Sequence, residues 1–188
     1  MRTVLPRRAV LIPDHAEKVF KGIIYDTYHW TQELYDGSTA TFEMLKRPDT
    51  VKVIAIHGQK IVILEQEQPN QTLFYDIPGG IHDHEEEDEF VAAQRELFEE
   101  TGMKFSDWKL VNIYQPHNKI EQFVYIFVAS GLINQVEQRL DAGERISIRL
   151  LEFDEAKQLL DSPMGRYLPK EIEKSNSIED LCALPEYT

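Results

Sequence analysis

Cysteine is nearly absent from these 188 residues: Cys182 is the only one. That excludes an intrachain disulfide and zinc sites built on thiolate pairs, and the expected compartment is the reducing cytoplasm. Long hydrophobic runs are missing as well. The longest strongly apolar stretch, residues 123–129, is far short of the ~20 residues a membrane-spanning helix needs. Residues 9–12, behind Arg2, Arg7 and Arg8, are too short for the hydrophobic part of a signal peptide. Bases are scarce, with 20 Lys+Arg against 33 Asp+Glu and a formal charge of −13. Such a surface is poorly suited to phosphate backbones and anionic lipid, so neither nucleic acid nor a membrane is expected as a partner. Repeats and Pro/Gly/Ser-rich linkers are also lacking, so residues 1–188 read as a single domain. The 42% hydrophobic and 28% charged content is that of a folded chain able to bury a core.

The patterning is mixed. Strands are expected over residues 19–28 and 40–46, and a hairpin over 51–56 and 60–66 turning at Gly58-Gln59. A short strand over 73–77 stops at Pro78-Gly79-Gly80. The period then changes. Phe90, Ala93, Leu97 and Thr101 fall on one stripe at helical spacing, and Gly102 suits the residue that ends a helix, so a helix is expected over 88–101. Further strands are expected over 110–114, 121–129 and 145–151, with helices over 154–160 and near 175–184. Strands interspersed with helices indicate an α/β or α+β chain around a mixed sheet.

The acidity has an address. Residues 83–100 hold nine acids and one base, Arg95, which is −8 of the −13. Glu96, Glu99 and Glu100 share a helix face by their three- and four-residue spacing. Three carboxylates on one face repel, and a divalent cation that takes oxygen ligands removes the repulsion. A merely solvated acidic face is the plainer reading of E-x-x-E-E alone.

The wider spacing decides between them. Gly80, Glu87, then seven residues, then Arg95-Glu96-Leu97-Phe98-Glu99-Glu100-Thr101-Gly102-Met103 closely resembles the Nudix hydrolase signature G-x5-E-x7-R-E-U-x-E-E-x-G-U. One departure exists: six residues, not five, separate Gly80 from Glu87, which puts the intervening loop and not the helix in question. The resemblance implies an α/β/α sandwich around a mixed sheet. It implies metal ligands at Gly79 (through its carbonyl), Glu96, Glu99 and Glu100, with Arg95 and Glu87 orienting them, and Mg²⁺ as the cofactor with Mn²⁺ as the other candidate. The implied reaction is hydrolysis of a nucleoside diphosphate linked to another group.

Flanking segments resemble the ADP-ribose pyrophosphatase and ADP-sugar diphosphatase branch. Leu64-Glu65-Gln66 and Asp76-Ile77-Pro78-Gly79-Gly80 look like that branch's stretch before the box, with Asp76 in place of Glu and Gln68 in place of Arg. Pro116 resembles its marker proline, about two residues early. Residues 141–144, Asp-Ala-Gly-Glu, stand where the branch has an acidic loop, which makes Glu144 the expected general base; a solvated loop acid is the alternative. The catalytic set is then Glu100, Glu99, Arg95 and Glu144, with Trp30, Gln68 and Asp76 on the substrate. Trp30 is expected against an adenine ring, the alternative being a packing tryptophan. By the same resemblance, a strand segment at about 15–47 pairs two subunits into a homodimer, the catalytic core spans about 48–160, and 161–188 form a tail. His82 and His84 could bind a transition metal or simply occupy a loop. Two other readings stand beside an ADP-ribose hydrolase: a Nudix enzyme for another nucleotide class, such as a dinucleoside polyphosphate, and a nucleotide sensor without catalysis.

Overall fold

A computed structural model describes residues 2–69, 71–84, 86–140 and 142–188. Residues 19–28 do not run as one strand. They split into β1 (Glu17–Lys21) and β2 (Asp26–Glu33), which pair antiparallel with Lys21 opposite Asp26. The turn between them closes where the Gly22 N–H donates to the Tyr25 carbonyl at 3.1 Å. A Cβ on Gly22 would lie 2.3 Å from that oxygen, so a side chain there would block the turn. β3 (Thr39–Lys46) adds to β2.

β4 (Asp49–His57) and β5 (Lys60–Gln68) form the expected hairpin around Gly58, whose φ of 64° needs no side chain. The two strands pair at Ile56–Ile61 and His57–Lys60 and then part. β6 (Gln71–Asp76) takes the edge of β5 that β4 leaves, with Asp76 opposite Leu64. The chain then crosses the split. Val53 and Val51 donate backbone N–H groups to the carbonyls of Pro78 and Gly80 at 2.8 and 3.0 Å, and β7 (Ile81–His82) pairs with the start of β4. The split sheet therefore holds the Pro78-Gly79-Gly80 loop directly before the acidic helix.

That helix, α1 (Glu89–Thr101), starts where the Asp88 carboxylate accepts from the Val91 N–H at 2.8 Å, and it ends at Gly102 with φ 68°. A Cβ on Gly102 would lie 2.0 Å from the Val136 carbonyl oxygen. The inward face is Ala92, Ala93, Leu97 and Thr101; Phe90, expected on it, is 39% exposed and instead meets Trp108 edge-on at 5.5 Å. β8 (Met103–Tyr114) begins earlier than expected. β9 (Ile120–Glu121) joins β3, and β10 (Val124–Gln135) lies between β4 (parallel) and β8 (antiparallel). The expected strand over 121–129 thus belongs to two sheets. β11 (Arg145–Leu151) closes the far edge on β5.

The central sheet, in the order β11-β5-β4-β10-β8, is covered on both faces. α1 packs on Val51, Val53, Phe123, Tyr125 and Phe127. α2 (Phe153–Leu160), α3 (Lys170–Lys174) and α4 (Ile178–Cys182) cover Ile54, Ile126 and Val128 with Leu160, Ile172 and Leu181. The architecture is the expected α/β/α sandwich. The amino-terminal arm lies across one end of it. Arg2 forks the Asp49 carboxylate at 2.6 and 3.0 Å, reaches Glu121 at 2.8 Å, and stands 4.6 Å over the Phe123 ring. Among the described residues, no helix is long and apolar enough to cross a membrane.

Candidate active site

The split between β4 and β5 opens into a cleft of about 670 Å³, within the usual range for a small-molecule site. One wall is α1. Its position relative to the loop is fixed by close approach: a Cβ on Gly80 would lie 2.3 Å from the Glu96 carboxylate, and the Gly79 N–H donates to Glu100 Oε2 at 2.7 Å. Gly79 itself has φ 145° and presses on β4, where a Cβ would meet the Val51 carbonyl at 2.1 Å. Gly79 is required by backbone contact and by its φ; a side chain at Gly80 would displace the Glu96 carboxylate.

Arg95 organises the carboxylates. Its Nε and Nη2 hold Glu87 at 3.2 and 2.8 Å, Nη1 reaches Glu96 at 2.8 Å and Glu99 at 3.1 Å, and Nη2 also donates to the Ile81 carbonyl at 3.2 Å. Burial alone would raise the Glu87 carboxyl, but the Arg95 hydrogen bonds and charge hold it below its ordinary value. The same guanidinium is itself pushed up, first by its hydrogen bond to Glu87. The pair expected to orient the ligands is thus formed in the fold.

Glu96 and Glu100 behave differently. Burial raises the Glu96 carboxyl, Arg95 opposes that, and the charges of Glu99 and Glu144 add to it. Burial pushes Glu100 up to about 8; Lys52 and the Gly79 N–H oppose the shift, and Glu96 and Glu144 reinforce it. A second effect of the fold brings Glu144 close. The chain after β10 satisfies the open carbonyls at the end of α1: Arg139 N–H donates to Glu99 at 2.8 Å, Val136 N–H donates to Gly102 at 2.9 Å, and the Gln138 amide donates to Glu100. That returns Glu144 to the cleft wall, where its charge acts on both Glu96 and Glu100. Asp141, from the same expected loop, lies outside the described residues, as does Glu85 in the acidic run.

Buried carboxylates whose charged forms are disfavoured, gathered on one wall, suit an oxygen-seeking divalent cation. By that measure Glu96 and Glu100 fit a metal, and Glu99, more exposed, stands beside them on the same helix face. Among the described residues, no three His, Cys, Asp or Glu side chains are already drawn into a metal cluster; the oxygens are held by Arg95 and the Gly79 N–H.

The cleft also gathers Gln68 and Asp76. The Asp76 carboxylate is buried, and both its oxygens are engaged, Oδ2 by Lys52 Nζ at 2.7 Å and Oδ1 by the Ile77 N–H at 2.8 Å. Asp76 thus enters the cleft paired with Lys52. Trp30 is not brought to the cleft within one chain: it stands on β2, 5.9 Å from Phe42, with Nε1 donating to Gln32 at 3.2 Å. His82 is buried on β7 with Nε2 against the Glu87 carbonyl at 2.9 Å, whereas His84 is exposed, so the two do not converge as a chelate.

Sharing the cleft with the carboxylates is a set of cations that sequence reasoning missed: Arg47, Lys52, Arg139 and Arg166. Lys52 carried a readable signal, a lone charge in the apolar run Val51-Lys52-Val53-Ile54. The arginines carried none, since they come from the link between β3 and β4, from the segment before β11 and from the chain after α2. Tyr114 and Tyr167, stacked at 6.5 Å between ring centroids with 27° between planes, were missed for the same reason.

Comparisons with known proteins place the chain in a family. Residues 46–170 match the family model described as NUDIX domain. The chain is 30% identical over 150 residues to an ADP-ribose pyrophosphatase of Bacillus subtilis, covering 78% of this chain and 80% of the relative. It is 32% identical over 149 residues to a methanol dehydrogenase activator of Bacillus methanolicus, covering 77% and 80%. A solved structure described as an ADP compounds hydrolase superposes with a TM-score of 0.66 over 90% of this chain and 89% of that one, at 18% identity, which speaks to the fold.

Proposed function

The chain belongs to the Nudix hydrolase family, and from that premise we propose that it hydrolyses the diphosphate bond of ADP-ribose or a related nucleotide sugar, with a divalent metal as cofactor. The observation that carries this reading is one cleft lined by both charges: the acids Glu96, Glu99, Glu100 and Glu144, and the bases Arg47, Lys52, Arg139 and Arg166. A diphosphate needs both, cations for its oxygens and carboxylates for the metal that accompanies it.

In this reading Mg²⁺, with Mn²⁺ as the alternative, is held by Glu96, Glu99, Glu100 and the Gly79 carbonyl, and supplies charge neutralisation and a more acidic water. The protein's own groups do the rest. Arg95 keeps Glu96 and Glu99 turned toward the cleft. Lys52, fixed by Asp76, and Arg139 meet phosphate oxygens. Glu144 takes the proton from the attacking water. One water is consumed, one P–O bond breaks, and the products are a nucleoside monophosphate and a sugar phosphate.

The same reading treats residues 1–188 as one Nudix domain in the cytoplasm that pairs as a homodimer through the β1–β3 sheet. Exposed apolar side chains there support the pairing: Phe20 at 61%, Ile24 at 58%, and Ile23 and Tyr35 fully exposed. Trp30 would then reach a nucleotide base only in the partner's cleft.

The test is a substrate panel (ADP-ribose, other nucleotide sugars, dinucleoside polyphosphates) with Mg²⁺ or Mn²⁺, products identified by mass, alongside sedimentation of the enzyme. AMP and ribose 5-phosphate from ADP-ribose are expected. Preferred turnover of a dinucleoside polyphosphate overturns the substrate assignment. Binding of ADP-ribose without turnover would make the chain a sensor.

A further inference from the structure

We propose that residues 162–168 form a strap that recognises the sugar phosphate half of the substrate: Arg166 takes a phosphate oxygen and the Tyr114–Tyr167 pair takes sugar hydroxyls. This rests on the nucleotide-sugar reading above, gives Arg166 a specific place in it, and adds Tyr114 and Tyr167.

The strap is built into the fold. After α2 the chain turns back where Gly165 N–H donates to Ser162 at 2.9 Å. A Cβ on Gly165 would lie 2.0 Å from the Leu160 carbonyl oxygen, so the turn depends on glycine. The strap then runs beside β6: Tyr75 N–H donates to Met164 and Arg166 N–H donates to Tyr75, both at 2.8 Å, and Tyr75 and Gly165 form a parallel bridge. This docking delivers Arg166 and Tyr167 to the cleft next to Asp76.

Their chemistry fits a sugar phosphate. The Arg166 guanidinium is carried 5.0 Å over the Phe74 ring, and among the described residues no carboxylate pairs with it. A guanidinium held by an aromatic face and not neutralised is an anion receptor. Tyr114 and Tyr167 stack with ring centroids 6.5 Å apart, and burial raises both phenols, so both remain protonated hydrogen-bonding groups. Behind them Asn112 holds Glu171 Oε1 at 2.8 Å, while Glu171 Oε2 is buried without a hydrogen-bond partner. Two phenols backed by an under-satisfied carboxylate suit a polyhydroxylated ligand better than a flat base.

The test uses the full chain and two variants, Tyr167→Phe and Arg166→Gln, each checked for an unchanged melting temperature. Binding of ribose 5-phosphate and of AMP is measured by calorimetry, with KM and kcat for ADP-ribose. For Tyr167→Phe, ribose 5-phosphate affinity should fall about 10-fold, the worth of one hydrogen bond, with KM rising in parallel and kcat changing much less. For Arg166→Gln the loss should approach about 100-fold, as for a hydrogen bond to a charged group. AMP affinity should hold. Loss of AMP binding with ribose 5-phosphate unaffected overturns the proposal, as does no change in either ligand. If the wild type turns over no nucleotide sugar, the substrate reading fails on that arm alone, and sugar phosphate binding still decides the strap.

Discussion

Two groups of buried carboxylates, one under the amino-terminal arm and one in the adjoining cleft, are treated in opposite ways. Under the amino-terminal arm, Asp49 accepts from Arg2 and from the Phe123 N–H at 2.8 Å. Glu121 accepts from Arg2, from Lys46 at 2.7 Å and from the Ile12 N–H at 2.7 Å. Burial alone would raise Glu121, but Lys46, the Ile12 N–H and Arg2 together hold its carboxyl below the ordinary value. In the cleft, Glu96 and Glu100 are raised, because desolvation outweighs the few donors they have. Burial is common to both groups, and the difference is compensation. A buried acid that the fold satisfies contributes to structure; one that the fold leaves short of positive charge is poised for a cation and a phosphate.

The comparison breaks most visibly at Glu100. Glu100→Gln should lower kcat by about 100-fold or more, since the amide is a poorer cation ligand and small misplacements already cost that much. Its melting temperature should stay near that of the parent, because no satisfied ion pair is lost. Full activity in this variant would end the metal assignment.

The converse experiment is Arg2→Met. It leaves Asp49 and Glu121 buried with one cation fewer, and removing one partner of a buried pair costs about 3 kcal/mol. For a chain of this size that lowers Tm by roughly 6–12 °C. Activity per folded molecule should be retained, since Arg2 does not line the cleft. An unchanged Tm would show that the arm is not part of the stable structure.

Acid sharpens the contrast. Because the folded value of Glu121 is depressed below 4.5, its stability contribution is fully present above pH 4.5 and is lost as pH falls through the folded value. Acid unfolding of the parent should steepen in that window, and Arg2→Met should flatten it. Curves of equal slope would mean that the clasp contributes nothing.

The sequence made the chemistry legible wherever it was local. The box lies on one helix and its glycines, so spacing alone assembled Glu87, Arg95, Glu96, Glu99 and Glu100, and the structure joins them through one guanidinium. The hairpin at Gly58 and the mixed sheet were readable from period and turn chemistry, and the sandwich from the resemblance to the family. What was not readable depends on contact between distant segments. No pattern predicts that β6 fills the edge β4 abandons, or that a turn at Gly165 carries Arg166 and Tyr167 beside Asp76. Glu89, in the acidic run at the helix start, is buried and held by the Thr3 N–H and hydroxyl at 2.6 and 2.7 Å, which no local rule anticipates.

Asp88 gives the smallest effect and the finest division of that acidic run. It sits at the other end of the helix from Glu100, exposed enough to keep its hydration, and its carboxylate meets the Val91 N–H in the ordinary N-cap geometry. Asp88→Ala should therefore cost about 1 kcal/mol, a Tm loss of roughly 2–4 °C, and change kcat far less than Glu100→Gln does. If activity fell by as much as in Glu100→Gln, the helix start would have to act on the cleft through Glu87 and Arg95, and the division between acids that hold the fold and acids that await a cation would no longer follow burial and compensation. With stability alone affected, one run of acids would serve two ends of one helix for two separate electrostatic reasons: the positive end of its dipole, and the cation its buried face lacks.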